Sequence, residues 1–174
     1  MRGIIIASTV AVAALASAIL LAGTVTSMPP KNMPIGTGYY TALLNGYKLT
    51  PPVASDGFAT IQLWIHRHGD TFEMPFSLSW YGLEGNITRA YLSFGEPWLG
   101  GQRILTLCEP CPTGTTSSYS RSAWNALKPE DLNYAGSFDN FTDFIKGLWN
   151  GRVWVVLETT AYPNGEVGGV LTRG

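Results

Sequence analysis

The sequence predicts an all-β protein: an antiparallel β-sandwich or barrel with one short helix, preceded by an N-terminal signal or anchor helix. Three observations carry this prediction. The chain opens on a long apolar leader, its body is a series of short segments with period-two alternation divided by turn residues, and one segment has helical spacing.

The leader is "MRGIIIASTVAVAALASAILLAGTVTS", one positive charge followed by a nearly unbroken apolar run. That is the pattern of an export signal, with a small-residue cleavage site at Val25-Thr26-Ser27. The run from Ile4 to Ala22 is also long enough to stay in a membrane as an anchor, so residues 1–27 are read as a signal peptide with retention as the alternative. Removing 27 of 174 residues leaves 147, one domain with enough chain for a sizeable core. Residues 28–38, "MPPKNMPIGTG", are aperiodic and read as a linker, and the domain occupies 39–174.

Charge excludes several function classes. The chain has 11 Lys and Arg against 12 Asp and Glu, and loss of Arg2 with the leader leaves 10 against 12. Such a balance leaves no basic footprint for nucleic acid or an anionic membrane. Charged residues are only 13% of the chain, about half the usual share. The composition fits a secreted β-protein better than a cytosolic enzyme.

Each element follows from local pattern. "YYTALL" begins the first strand, and "TPPVASDG" is a proline-stiffened turn. In "FATIQLWIHR", Ile61, Leu63 and Ile65 share one face, while Thr60, Gln62, Trp64, His66 and His68 share the other. "HGDT" is turn chemistry. "FEMPFSLSW" then alternates with Phe72, Met74, Phe76, Leu78 and Trp80 inward, and Pro75 marks that strand as an edge or bulged one. "GLEGN" turns into the strands "ITRAYLSF" and "QRILTLC". "PTGTTSSYSRSA" reads as a polar loop that buries nothing. "DNFTDFIKGLWN" is the helix, with Phe141, Phe144, Ile145, Leu148 and Trp149 at helical spacing, Asp139 as cap and Gly151 beyond the end. "RVWVVLETT", a type I′ hairpin at Asn164-Gly165 and "VGGVL" close the chain.

The order of these motifs is similar to that of the CHRD domain, the module named after chordin. The resemblance runs from Tyr39 to Leu171 and is carried by "YYTALLNGYKLTPPVASDGFATIQL", "FSLSWYGLEGNITRAYLSFG", "LKPEDL" and "FIKGLWNGRVWVVLETTAYPNGEVGGVL", most specifically by Pro51-Pro52-Val53, Gly82-Leu83 and Pro163-Asn164-Gly165-Glu166. It implies that the fold is an extracellular, antiparallel immunoglobulin-like β-sandwich of Greek-key type, whose biochemical role is mostly unknown. Chordin binds growth factors of the bone morphogenetic type, a partner not implied for single-domain microbial relatives. The chain departs from the pattern where the family usually has His-x-His-x-Gly, here Tyr91-Leu92-Ser93-Phe94-Gly95, and where it has a histidine in the last long strand, here Glu158. The acidic residue before the Pro-Pro pair is also replaced, and the arginine of the closing pattern is Gly168. A metal or ligand held by those histidines is therefore expected to be lost.

Candidate chemistry is sparse. His66 and His68 lie on one face of a strand and could grip zinc or copper if Glu73, or Cys108 with Cys111, supplied further ligands; an exposed strand end is the better reading. Cys108-Glu109-Pro110-Cys111 has redox-motif spacing but follows a strand, and in an oxidising compartment it is read as a structural disulfide. Asn86 and Asn140 head N-glycosylation sequons. Glu158 and Glu166 face each other across the last hairpin only if the register allows. Trp64, Tyr91 and Trp98 are candidates for a glycan-stacking or protein-binding face, or for packing under loops. No nucleophile elbow, zinc-protease motif or phosphate loop is present.

The expectation is a non-catalytic extracellular binding or structural module with no cofactor and no metal, secreted or on the envelope or matrix. Its partner would be an extracellular protein or glycan, with membrane attachment only through residues 4–22 if the leader is retained. The alternative is a metal-binding redox protein, because Cu/Zn superoxide dismutases share the sandwich architecture. A thiol oxidoreductase using Cys108 and Cys111 ranks below both.

Overall fold

Alternating apolar and polar residues place one set of side chains on each face of a strand, so the body of this chain can bury a core only by folding its strands against one another. A computed structural model shows how it does so, and it describes residues 37–96, 99, 101–134 and 139–174. The leader at 1–27, nearly all of the linker at 28–38 and Trp98 lie outside the described residues. Among the described residues no helix is long and apolar enough to cross a membrane.

The chain is mostly antiparallel β-structure with one α-helix. In chain order the strands are β1 (Gly38–Asn45), β2 (Phe58–His68), β3 (Thr71–Glu73), β4 (Phe76–Tyr81), β5 (Ile87–Phe94), β6 (Gln102–Cys108) and β7 (Ser117–Arg121). The helix α1 (Phe141–Trp149) follows, then β8 (Val153–Thr159), β9 (Val167–Val170) and β10 (Thr172–Arg173). They form one curled sheet in the order β6-β5-β8-β9-β1-β2-β4-β7, with β10 added beside β1 and β3 beside β2. The two halves of the sheet join at β9 and β1 through the pair Asn45↔Gly168. Gly169 is needed near this junction because a Cβ there would lie 2.7 Å from the Leu43 carbonyl oxygen.

The core lies between the halves. Ile61, Leu63 and Ile65 of β2 are buried with Phe76, Leu78 and Trp80 of β4, as alternation predicts, and they form one cluster with Leu92 of β5, Ile104 of β6, and Val155 and Leu157 of β8. Fully burying a side chain of this size is worth about 1.5–3 kcal/mol, so this shared cluster is the main source of stability. The helix rests on the same core through Phe144, Ile145 and Leu148. Gly147 allows that approach, since a Cβ there would stand 2.3 Å from the Phe94 ring.

Four local expectations need correction. "SSYSR" is an edge strand rather than a loop: β7 pairs β4, Tyr119 packs on Phe76 with ring centroids 5.9 Å apart, and main-chain bonds supply what its polar composition does not advertise. The strand predicted through Pro75 is split there into β3 and β4, and β4 is an inner strand covered by β7. The helix is capped by Asn140 rather than Asp139, the Asn140 side chain accepting from the Asp143 N–H at 3.1 Å. The last turn is not type I′, because Gly165 N–H donates to the Tyr162 carbonyl at 3.1 Å, Pro163 and Asn164 are the central residues, and neither has positive φ.

Candidate functional site

With inward positions committed to the core, any binding chemistry on the strands must lie on the outward positions, and strand register decides which of these meet. On the half built from β1, β2, β4 and β7, register aligns Thr172, Thr41, Gln62, Ser77 and Ser120 in one row across five strands. The next row holds Leu43, Thr60, Ser79 and Ser118. Two aromatic pairs bound these rows. Phe58 and Tyr81 stack at 5.1 Å with 23° between their planes, and Tyr39 and Trp64 meet at 5.4 Å with a 39° tilt. Phe58 and Tyr81 are 42% and 43% exposed, and Leu43 is 52% exposed, so this face offers apolar as well as polar surface. No outward position between Tyr39 and Asn45, Phe58 and Trp64, Ser77 and Tyr81, or Ser118 and Ser120 is charged.

The outward face of β5, β6 and β8 has the opposite chemistry. Arg89 stands opposite Glu158 and donates to its Oε2 at 2.9 Å, and its other terminal nitrogen bonds Glu109. Arg103 lies 3.8 Å from the second oxygen of Glu158 and its guanidinium sits 4.6 Å above the Tyr91 ring. The bond to Glu109, assisted by the nearby carboxylates, raises the Arg89 pKa although burial opposes it, and the same guanidinium holds the Glu109 carboxyl below the usual carboxylate range. Burial, and after it the Glu158 charge, pushes the Tyr91 hydroxyl up. The three positions at which the family resemblance expects histidines, Tyr91, Ser93 and Glu158, fall on this face, Tyr91 and Ser93 on β5 and Glu158 on the adjoining β8. Tyr91 is buried beneath Arg103 rather than offered as an exposed platform.

Glu158 and Glu166 do not face each other as an acid pair. The ladder ends at Leu157↔Val167, and beyond it Glu158 turns to the arginines while Glu166 turns inward and is fully buried. Ser55 Oγ and the Glu84 N–H both donate to Glu166 Oε1 at 2.7 Å, and Thr159 Oγ1 donates to Oε2 at 2.7 Å. Each hydroxyl also accepts a backbone N–H, from Gly57 and from Tyr162, which leaves its proton for the carboxylate. One carboxylate thus ties three loops together. Composition gave no sign of this role; only the position of Glu166 at the end of the closing hairpin motif singled it out.

The remaining candidates are separate. His66 and His68 are exposed; His66 stands opposite Glu73, and His68 Nε2 lies 3.6 Å from Glu73 Oε2. Cys108 and Cys111 cannot complete that set because they are bonded to each other, with Sγ atoms 1.96 Å apart. Among the described residues no group of three or more His, Cys, Asp or Glu side chains is placed to share a metal ion. Asn86 is exposed, its carboxamide oxygen accepting from the Gly114 N–H at 3.1 Å, whereas the Asn140 Nδ2 is engaged with Asp143 at 3.1 Å. A cleft of about 430 Å³ opens between the β2–β3 turn and the start of α1, floored by Phe72 and Phe141, and its lining holds no nucleophile beside a base.

Compared with protein-family models, with curated proteins and with solved structures, the chain matches none.

Proposed function

We propose that this chain is a non-catalytic extracellular binding module, a secreted or envelope-exposed immunoglobulin-like sandwich of the CHRD type. The observation that carries the reading is the uncharged part of the outward face of β1, β2, β4 and β7 between Phe58 and Trp64, where register gathers hydroxyls, an amide and two aromatic pairs that the core does not use. Exposed aromatics beside polar groups with acceptor capacity to spare are the usual makings of a recognition surface. The bonded cysteine pair suits an oxidising compartment. Two joined half-sheets around one core support the sandwich reading.

The test uses the exported chain, labelled and presented to immobilised extracellular polymers and proteins. Binding that is abolished by Ser79→Arg in the centre of the neutral face is the expected result. Elemental analysis of untagged protein addresses the redox alternative: about one zinc or copper per chain, lost in His66→Ala, would replace the binding reading.

A further inference from the structure

We infer that the ligand of the neutral face is an extended, uncharged polysaccharide; this rests on the binding reading above and adds the chemistry of the partner. Four features of the face select that class. The row Thr41, Gln62, Ser77 and Ser120 crosses four strands. Neighbouring strands lie about 4.8 Å apart and outward residues repeat about every 6.7 Å along each strand, so these groups form a regular lattice of donors and acceptors. Repeating hydroxyls on a sugar chain are matched by such a lattice.

The second feature is charge. Between the two aromatic pairs no outward strand position is charged, and the charges at the borders are already engaged, Lys48 donating to the Leu43 carbonyl at 2.6 Å and Glu73 lying 3.6 Å from His68. A polymer charged at every repeat would therefore find few partners, whereas a neutral chain leaves no ion unpaired. Charge is concentrated instead on the other outward face, where Arg89 and Glu158 already satisfy one another.

Third, aromatic pairs stand at both ends of the lattice, Phe58 with Tyr81 and Tyr39 with Trp64. Six residues along β2 separate Phe58 from Trp64, a span of about 20 Å. That is several monosaccharides long, which favours a polymer over a free sugar. Finally, Thr41 Oγ1 already donates to the Ile61 carbonyl at 3.0 Å, so it meets a ligand as a fixed acceptor, the kind of pre-organised group that lowers the ordering cost of binding.

The experiment is retention of the exported chain on insoluble cellulose, chitin and β-1,3-glucan, beside alginate and polygalacturonate as anionic polymers. Retention on at least one neutral polymer and on neither anionic one is expected. Phe58→Ala with Tyr81→Ala should weaken it roughly tenfold. Ser79→Lys, which leaves the aromatics in place, should weaken it as well, while Arg103→Ala on the other face should not. Melting curves establish that each variant is folded.

Equal retention of all the variants would overturn the assignment, as would binding to anionic polymers alone. Capture of an extracellular protein through this face, with no glycan retained, would overturn the polysaccharide and leave the binding reading standing. Binding to nothing, together with a dimer that Phe58→Ala and Tyr81→Ala dissociate, would make a second copy the occupant and remove both.

Discussion

The two outward faces of the sheet share one core yet differ in what their polar groups do. On β5, β6 and β8 the charges are turned on each other: Arg89 is bonded to Glu158 and Glu109, and Arg103 covers Tyr91. Between the two aromatic pairs on β1, β2, β4 and β7 no outward position is charged, and hydroxyls and stacked rings stand side by side. The first face thus spends its charges on its own packing, while the second leaves most of its hydroxyls and exposed rings outside the core.

The largest expected effect damages both faces alike. Glu166→Ala removes the carboxylate that accepts from Ser55, Glu84 and Thr159, stranding buried donors. A loss of about 4 kcal/mol follows from the cost of unsatisfied buried groups. The melting temperature should fall by about 12 °C. Glu166→Gln keeps one acceptor oxygen and should lose about half as much; equal losses would mean that shape, not hydrogen bonding, holds the loops.

Glu158→Ala separates the faces. It leaves the half-buried Arg89, whose Nε is already without a partner, with Glu109 as its remaining bonded carboxylate. A cost of about 2 kcal/mol is expected. Thermal unfolding should register it while ligand retention stays unchanged. Phe58→Ala with Tyr81→Ala should do the reverse, costing less than about 1 kcal/mol because both rings are half exposed, while weakening retention.

The smallest effect is in acid. Because Arg89 depresses the folded-state pKa of Glu109, this group adds stability above its ordinary titration range and loses it as pH falls through the depressed value. The melting temperature of the native chain should therefore decline below about pH 4. Glu109 is exposed, so Glu109→Gln should flatten that decline only slightly, and an unchanged acid profile would argue against the bridge in solution.

Much of the fold is legible where one residue decides its own environment. The alternation in "TIQLWIHR" gave the inward face of β2, and helical spacing gave α1. What escaped the sequence depended on distant partners. "SSYSR" is a strand only because β4 offers it an edge, and Asn140 rather than Asp139 caps the helix because the Asp143 N–H points to it. Glu166 looks like any hairpin acid until Ser55 and Glu84, far away in sequence, are brought to it. The neutral face was hardest to foresee, since Thr41, Gln62, Ser77 and Ser120 are ordinary polar residues in four separate strands. Trp64 alone hinted at it. His66 and His68, one residue apart and conspicuous, lie at the exposed end of β2.

The most direct test of the central claim is a residue-resolved map of backbone amide shifts while a soluble neutral oligosaccharide is titrated in. Perturbations are expected at Thr41, Gln62, Ser77 and Ser120 and at the flanking aromatic pairs, with Arg89, Tyr91 and Glu158 unmoved. Perturbations centred on Arg89 and Arg103 would contradict the claim.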